Sequence, residues 1–331
     1  MRAIRIYGYP QANACLVEDA VPPSGEVQIA VQYSALNYKD MLAITGGGKV
    51  MRQYPLIAGI DAAGIVQASA DARWQKGDAV LVAGAGLGEQ VNGGLAQMIA
   101  VNADSIVPIP SAWTSKTAML LGTAGFSAAL AVDKLLKHGI VPEDGEIAVT
   151  GANGAVGLWA VRILAYLGYD VVASARSPDA HEALFYQAGV QRILSLAEVK
   201  DNPKALHSAQ FSAAIDTLGG ASLAALLSKI QPHGAVCAIG MAEGSAWQGS
   251  VMPFILRGVT LYGISSGDCR SGQREQIWSW LAKLFDSDFV AHMPYQEIFL
   301  DEVIPVCRDW AKRPAGRIIV NTGSANEFLS L

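Results

Sequence analysis

The sequence lacks any paired arrangement of cysteine or histidine. No C-x-x-C spacing occurs, and no two histidines are four positions apart. These absences argue against a structural zinc site and against a dithiol redox pair. The isolated residues are Cys15, Cys237, Cys269, Cys307, His138, His181, His207, His233 and His292.

Long hydrophobic runs and basic blocks are also lacking. No uninterrupted apolar run approaches the ~20 residues that a membrane span needs, although 51% of the 331 residues are hydrophobic. The net charge is −5, and basic residues are not interleaved with aromatic ones, so we expect neither a nucleic-acid nor a membrane partner. The first residues, MRAIRIYGYPQ, contain no hydrophobic core of a signal peptide. We therefore expect a cytoplasmic protein.

A glycine-rich turn lies in the stretch from Gly145 to Ser177, which reads GEIAVTGANGAVGLWAVRILAYLGYDVVASARS. A short apolar run precedes a G-x-x-G-x-x-G turn, an apolar segment with helical spacing follows, and a second apolar run comes last. Strand, glycine turn, helix and strand form a βαβ unit of the kind that binds a dinucleotide, with the pyrophosphate at the helix N-terminus. The alternative is an ordinary tight turn of an α/β protein.

The end of the second predicted strand indicates which dinucleotide binds. A site for NAD usually has a carboxylate about 20 residues after the glycines, where it binds the ribose 2′-hydroxyl. This chain has Ala173-Ser174-Ala175-Arg176-Ser177 there. Arg176 can bind a 2′-phosphate through two parallel hydrogen bonds, and Ser174 adds a hydroxyl donor. The pattern favours NADPH, with a solvated surface role for Arg176 as the alternative.

The remainder of the chain divides into two patterns. The first 120 residues contain short strand-like runs between Gly and Pro turns, which predicts a β-rich, barrel-like domain. Strands then alternate with helices, which predicts an α/β fold with a doubly wound parallel sheet. A last strand-like run, Gly316–Asn321, is expected to return to the first domain. Ligands bind at the carboxyl ends of such strands, which places Thr217, Gly240, Met241, Ser265 and Ser266 near the cofactor.

Five motifs together resemble a known family. They are LNYKD at Leu36–Asp40, the run Pro55–Gly64, GTAGF at Gly122–Phe126, the run Val149–Gly157 and VMPFILR at Val251–Arg257. The chain resembles the medium-chain dehydrogenase/reductase superfamily, and within it the NADPH-dependent acryloyl-CoA reductases, which are often named quinone oxidoreductases. The resemblance implies a GroES-like domain of 1–120, to which 290–331 returns, and a Rossmann domain of 121–289.

The resemblance also bears on metal. Zinc-dependent relatives carry a catalytic cysteine in the first domain and a Gly-His-Glu motif. The corresponding run here is Gly59-Ile60-Asp61, without histidine. The sequence therefore fits the zinc-free branch, and no metal is expected.

The resemblance implies the following site residues. Tyr38 would lie against the cofactor, and Ser174 and Arg176 would bind the 2′-phosphate. The pyrophosphate turn would be Asn153, Gly154, Ala155 and Val156, and the further cofactor contacts would be Thr123, Gly240, Ile255 and Ser266.

Family chemistry would transfer hydride from the nicotinamide to the β-carbon of an activated alkene and a proton to its α-carbon. Tyr38, with Asn37 and Asp40 beside it, is the predicted catalytic group, although a purely packing role for Tyr38 is the alternative. A CoA thioester needs cations for its phosphates, and the available ones are Lys49, Arg52, Arg257, Arg270 and Arg274.

Three functions remain open from the sequence. The first is NADPH-dependent reduction of acryloyl-CoA or a related 2-enoyl thioester, the second is reduction of a quinone, and the third is NADPH binding without catalysis, because binding and turnover are separable. A small-molecule substrate is expected in the first two cases. We also expect a homodimer formed through an edge strand at Val259–Ile264, because an unpaired sheet edge invites pairing.

Overall fold

The computed structural model describes residues 1–18, 20, 21, 23–201 and 204–323. These residues pack as two compact units. The first unit is Met1–Phe126 with the described part of Ser266–Leu331, and the second unit is Ser127–Ser265. The predicted domains of 1–120 with 290–331 and of 121–289 stay a prediction.

Strands and helices alternate along most of the described chain. The strands are β1 Ala3–Ile6, β2 Cys15–Val17, β3 Val27–Leu36, β4 Leu56–Ile57, β5 Asp61–Ser69, β6 Ala79–Ala83, β7 Met98–Val101, β8 Val107–Pro108, β9 Ile147–Thr150, β10 Val171–Ala175, β11 Arg192–Ser195, β12 Phe211–Asp216, β13 Ile230–Ala238, β14 Thr260–Gly263, β15 Tyr295–Phe299 and β16 Arg317–Asn321. The α-helices are α1 Tyr38–Thr45, α2 Ser115–His138, α3 Ala155–Tyr166, α4 Glu182–Gln187, α5 Leu196–Lys200, α6 Gly220–Lys229, α7 Met252–Arg257, α8 Ser271–Leu284, α9 Ser287–Ala291 and α10 Val303–Arg308. Short 3-10 helices cover Ala103–Ser105, Pro142–Asp144, Pro178–His181, Leu300–Glu302 and Trp310–Lys312.

The second unit is built on a six-stranded sheet in the order β11-β10-β9-β12-β13-β14. Every neighbouring pair in it is parallel. All four residues of β9 and all six of β12 are buried, as expected for parallel strands covered on both faces. Strand order reverses between β9 and β12, as in the doubly wound Rossmann fold. The predicted fold class is therefore confirmed.

The first unit is mainly antiparallel. Its larger sheet runs β15-β16-β3-β5-β6-β8, with β7 also paired to β3, and a smaller sheet runs β2-β1-β4. The strand near the end of the chain, β16, pairs antiparallel with β3, so that Ile318 lies opposite Leu36. The last described strand therefore lies in the sheet of the first unit. Buried residues of this sheet, among them Ile29, Val66 and Ile99, pack together as an apolar cluster.

Among the described residues, one helix is long and apolar enough to cross a membrane by length and composition. This helix, α2, has a window of mean hydropathy 1.4, of which 83% is buried inside the protein. It is therefore a buried core helix. Its path is broken at Gly122, which has φ 49° and ψ −155°. A Cβ there would lie 2.5 Å from Arg317 Nη2 and 2.7 Å from Asp61 Oδ2, so the break makes room for these two side chains.

Candidate functional site

The glycine turn of the second unit connects β9 to α3 through very close backbone contacts. A Cβ at Gly157 would lie 2.3 Å from the Gly151 carbonyl oxygen, and a Cβ at Gly151 would lie 2.3 Å from Thr217 Oγ1. Gly154 is the N-cap of α3, and the first N–H groups of a helix have no partner within that helix. The N–H groups of Ala155 and Val156 therefore form an anion-binding end of the kind that a pyrophosphate occupies.

The end of β10 lies directly beside this turn. The Ala152 N–H donates to the Ser174 carbonyl oxygen at 3.1 Å. Ser174 is 1% exposed, and its hydroxyl has no hydrogen-bond partner in the described chain. Arg176 follows at an exposed position. A buried hydroxyl without a partner is costly, so a ligand oxygen at this position would satisfy it. These residues fit the ribose phosphate of NADPH.

A hydrogen-bonded pair lies behind the turn, where β9 and β12 end. The Thr150 hydroxyl donates to Asp216 Oδ1 at 2.6 Å, and the Gly219 N–H donates to Asp216 Oδ2 at 2.7 Å. Thr217 in turn donates from its hydroxyl to the Thr150 carbonyl oxygen at 2.9 Å. Burial raises the pKa of the Asp216 carboxyl, while these hydrogen bonds oppose the rise. The sequence placed Thr217 at this end of the sheet but missed Asp216, which joins the two strand ends.

The remaining residues that were predicted to contact the cofactor lie at separate places in the structure. The side-chain amide of Asn153 lies 3.2 Å from His181 Nε2. A Cβ at Gly240 would lie 2.2 Å from the Thr217 carbonyl oxygen, so Gly240 lies beside the same strand end. Ile255 lies on α7 and is 74% exposed. Ser266 falls in the first unit.

A buried ionic cluster lies in the first unit, consisting of Asn37, Asp40, Asp61, Thr123 and Arg317. The Asp61 and Arg317 side chains are fully buried and lie 3.4 Å apart. Asp61 accepts from the Thr123 N–H at 2.9 Å and from the Thr123 hydroxyl at 2.6 Å. The segment of α2 after the Gly122 break begins at Thr123, so a carboxylate lies at the start of that segment, where the helix dipole favours negative charge.

The same cluster holds the start of α1. Asn37 donates from its amide to Asp61 Oδ2 at 2.8 Å and accepts from Arg317 Nη1 at 3.0 Å. Arg317 also donates to the Met119 carbonyl oxygen at 3.1 Å. Burial lowers the pKa of Arg317, and the nearby Asp61 opposes this change. Asn37 and Thr123, which the sequence predicted separately, thus meet at Asp61.

Asp40 is the second carboxyl group of the cluster. It is 2% exposed, and its oxygens accept from the Ile60 N–H at 3.0 Å and the Asn37 N–H at 2.8 Å. Burial raises the pKa of Asp40 to about 7, and the charge of Asp61 adds to the rise. Tyr38, by contrast, is 41% exposed at the first position of α1. The cluster therefore fixes the backbone that carries an accessible tyrosine.

The residues at the Gly59-Ile60-Asp61 run do not fit a zinc ion. Zinc binds thiolate, imidazole and carboxylate ligands, whereas Asp61 is the only such group in the Gly59-Ile60-Asp61 run and already binds Arg317, Asn37 and Thr123. The Arg317 guanidinium would repel a cation there. Within the described ranges, no group of three or more His, Cys, Asp or Glu side chains could hold a metal.

The five cations predicted for CoA phosphates separate into two classes. Arg257 donates to the Ser228 and Ile230 carbonyl oxygens at 3.1 and 2.8 Å, and Arg274 is 3% exposed and donates to Ala83, Ser266 and Cys269 carbonyl oxygens. Both are committed to the protein backbone, so the prediction that they are available for a substrate was wrong. The other three, Lys49, Arg52 and Arg270, are exposed.

A cavity of about 310 Å³ also lies in the first unit. Its walls include Val82, Leu87 and Val101, and none of the predicted site residues lines it. It is therefore distinct from the candidate site.

Two family models match this chain, one in each half. Residues 23–111 match the family model described as alcohol dehydrogenase GroES-like domain, and residues 155–283 match the model described as zinc-binding dehydrogenase. YhfP of Bacillus subtilis, which carries a quinone oxidoreductase name, is 43% identical over 90% of this chain and 91% of its own. AcuI of Ruegeria pomeroyi, named an acrylyl-CoA reductase, is 42% identical over 79% of each chain.

Solved structures give the same picture. The YhdH oxidoreductase of Salmonella enterica in complex with NADP has a TM-score of 0.92 and 39% identity, covering 97% of this chain and 100% of the other. The Bacillus subtilis YhfP structure with NAD bound has a TM-score of 0.90 and 39% identity, covering 97% and 99%. The glycine turn thus belongs to a fold in which both dinucleotides have been observed.

Proposed function

Because this chain belongs to the medium-chain dehydrogenase/reductase family, as its motifs predicted, we propose that it is an NADPH-dependent reductase of acryloyl-CoA or a related 2-enoyl thioester. That the chain is an oxidoreductase of this family follows from its identity to its relatives over most of its length. The observation that carries the cofactor is the unpartnered, buried Ser174 hydroxyl beside exposed Arg176 and the glycine turn. The thioester is favoured by the acrylyl-CoA reductase relative.

The 2′-phosphate is the part of the cofactor that tests this proposal best. Charge-assisted hydrogen bonds contribute about 1.5–3 kcal/mol, so Arg176→Ala should weaken NADPH binding about 10- to 100-fold and leave NADH binding unchanged. Ser174→Asp should move preference towards NADH, because a carboxylate repels the phosphate and can bind a free 2′-hydroxyl. Equal binding of NADPH and NADH by the unmodified protein would overturn the assignment.

The bound nicotinamide supplies a hydride to the β-carbon of the activated alkene. The protein must then orient the substrate, stabilise the enolate oxygen and deliver a proton to the α-carbon. Tyr38 is the group that we assign to this last task, since its hydroxyl belongs to an exposed side chain at a fixed helix start. Asn37 and Asp40 hold that start through hydrogen bonds and are assigned as positioning residues.

Removing the Tyr38 hydroxyl separates a proton donor from a packing role. General acid catalysis contributes about 10²- to 10⁴-fold to the rate. Tyr38→Phe should therefore lower kcat by about that factor and leave the affinity for NADPH unchanged. Full turnover by Tyr38→Phe would refute the assignment. A loss of NADPH affinity without loss of kcat would support the packing alternative.

Independence from zinc is part of the proposal. It is supported by the salt bridge between Asp61 and Arg317, which lies at the Gly59-Ile60-Asp61 run where zinc-dependent relatives carry a histidine. Activity should therefore survive dialysis against a strong chelator, and elemental analysis of the active protein should give no stoichiometric zinc. Loss of activity on chelation, restored by zinc alone, would refute this part.

A quinone acceptor is the second candidate, favoured by the name of the YhfP relative. The two acceptors are distinguished by the oxidation of NADPH in the presence of acryloyl-CoA or 1,4-benzoquinone. Turnover of the quinone alone would support the second candidate. Tight NADPH binding without oxidation by any enal, enone, quinone or enoyl thioester would support the third, a protein that binds NADPH without catalysis.

We further propose a cytoplasmic homodimer joined through β14. This strand pairs with β13 on one side, and within the described residues no strand pairs with its other edge. Its Thr260, Leu261 and Tyr262 are half-buried, which suits an edge that a second copy covers. Sedimentation should give a dimer mass, and Leu261→Pro, which removes a backbone donor, should give a monomer. A monomer mass over a wide concentration range would refute the proposal.

A further inference from the structure

Two exposed cations follow α1 in the first unit. Lys49 and Arg52 are exposed, and neither forms an ion pair within the described part of the chain. Glu89, on the segment that bonds to Arg52, is bound by Lys39 at 2.7 Å. The Arg52 N–H donates to the Glu89 carbonyl oxygen at 2.8 Å, so Arg52 is fixed at its backbone and free at its guanidinium.

Two tyrosines accompany these cations. Tyr9 is 45% exposed, and Tyr54 is half-buried, packing against the apolar cluster that contains Ile44 and Met51. Burial raises the pKa of the Tyr54 phenol, and its neighbour Tyr9 adds to the rise. Tyr54 is therefore anchored on the core, whereas Tyr9 is accessible.

The turn that carries Tyr9 packs on the segment that carries the cations. A Cβ at Gly46, the C-cap of α1, would lie 2.0 Å from the Pro10 carbonyl oxygen. Residues 10–12 thus contact the C-cap of α1, from which the chain continues to Lys49, Arg52 and Tyr54. We call Tyr9, Lys49, Arg52 and Tyr54 the tyrosine–cation patch.

The patch borders α1 at both of its ends. The helix has eight residues and is therefore about 12 Å long. The turn that follows Tyr9 contacts its C-cap, Gly46, whereas Arg52 is bonded to Glu89, which Lys39 in the first turn of α1 binds. A CoA thioester carries its diphosphate between the pantetheine arm and the adenine nucleoside, so phosphates near Arg52 and an adenine near Tyr9 follow the same order along the helix. A substrate whose acyl group reaches Tyr38 can extend along α1 to the patch.

The geometry points to the tyrosine–cation patch as the binding site for the adenine nucleotide of the thioester substrate. Lys49 and Arg52 would pair with its phosphates, and Tyr9 and Tyr54 would stack on the adenine ring, as aromatic side chains do with bases. This inference rests on the proposed thioester reductase activity and assigns the part of the substrate that a quinone lacks.

The test compares a complete and a truncated substrate. The Lys49→Ala/Arg52→Ala double variant should raise the KM for acryloyl-CoA by about tenfold or more and leave the KM for acryloyl-N-acetylcysteamine and for NADPH unchanged. The matched control is Lys76→Ala/Lys283→Ala, which removes two exposed lysines of the same unit and should change none of these values. An equal rise on both thioesters, or no rise on either, would overturn the assignment.

The predicted stacking by Tyr9 of the tyrosine–cation patch is tested with a control variant of its own. Tyr9→Ala should raise the KM for acryloyl-CoA severalfold, since stacking on a base is worth about 1–3 kcal/mol, whereas Tyr186→Ala should not, although Tyr186 is 54% exposed. An unchanged KM in Tyr9→Ala would remove the stacking part of the inference.

A binding measurement tests the tyrosine–cation patch independently of the reaction. With the cofactor site saturated by NADP⁺, adenosine 3′,5′-bisphosphate should bind the unmodified protein and bind the Lys49→Ala/Arg52→Ala variant about tenfold more weakly. If the protein reduces no thioester but this difference is present, the proposed function fails and the patch stands. If thioesters are reduced and the bisphosphate binds both proteins equally, the patch fails and the function stands.

Discussion

Replacing Arg317 by methionine should destabilise the first unit strongly. The guanidinium is fully buried and donates to the Asn37 amide oxygen at 3.0 Å, the Met119 carbonyl oxygen at 3.1 Å and Asp61 at 3.4 Å. Its removal leaves the Asp61 carboxylate buried without a counter-charge. Breaking a buried ion pair in this way costs about 3–5 kcal/mol. We therefore expect Arg317→Met to lower the free energy of unfolding by about that amount.

A double-mutant cycle identifies the cause of this loss. Asp61→Asn removes the buried charge and keeps an acceptor for the Thr123 N–H, so Asp61→Asn/Arg317→Met should cost less than the sum of the two single variants, by about 1–3 kcal/mol. Urea unfolding gives the free energies, with an unchanged m-value as the check that the unfolding transition is the same. Additive costs, or a loss of less than about 1 kcal/mol in Arg317→Met, would refute the reasoning.

Two further predictions concern Asp40 and the glycine turn. Burial raises the pKa of Asp40 from 3.8 to about 7, so the folded protein binds this proton more tightly than the unfolded chain. The stability that the bound proton contributes is fully present below pH 3.8 and is lost as the pH rises through about 7. Urea unfolding across this window should show that the unmodified protein loses stability relative to Asp40→Asn by at most about 1.4 kcal/mol per pH unit; parallel profiles would contradict the expectation. Gly157→Ala places a Cβ 2.3 Å from the Gly151 carbonyl oxygen and should weaken NADPH binding about tenfold or more in a fluorescence titration. Gly272→Ala, whose Cβ would meet no atom within 4 Å, is its control, and equal affinities would contradict the prediction.

The second unit could be predicted well because its signals are local. The glycine turn, the helix after it and the two flanking strands occupy one continuous stretch, and the residues that must be close are only a few positions apart. The order of the remaining strands follows from the alternation of strand and helix. The close contact between Ala152 and Ser174 is a consequence of the same local geometry.

The ionic cluster of the first unit could not be predicted in this way. Asp61 and Arg317 are 256 positions apart, and no periodicity links them. Each does leave a signal in the sequence, because each begins an apolar strand, Asp61 before Ala62-Ala63 and Arg317 before Ile318-Ile319-Val320. A charged residue in such a run is almost never fully buried unless it is paired. Searching for a partner of opposite charge in another apolar run would have suggested this pair.

The break in α2 has the same origin. Ser115–His138 forms one long helix, but the backbone departs from helical geometry at Gly122 itself. The local sequence gives no reason for this position, since the space that it leaves is filled by Arg317 and Asp61. The five candidate cations were equally ambiguous in the sequence. Only the folded chain shows that the Arg257 and Arg274 side chains bind carbonyl oxygens, whereas no such bond of the Lys49 or Arg52 side chain occurs among the described residues.

The charge balance of the ionic cluster connects these observations to the helix that carries Tyr38. Asp61 and Arg317 compensate each other, so the buried charges balance only while Asp40 is protonated. An ionised Asp40 would strengthen its hydrogen bonds from the Asn37 and Ile60 N–H groups but would place an uncompensated charge in a dry environment, where its cost is high. Ionisation of Asp40 therefore acts on the N-cap of α1, directly before Tyr38. The raised pKa of Asp40 brings this change into the neutral pH range, so the position of Tyr38 and the stability of the cluster should respond to the same proton.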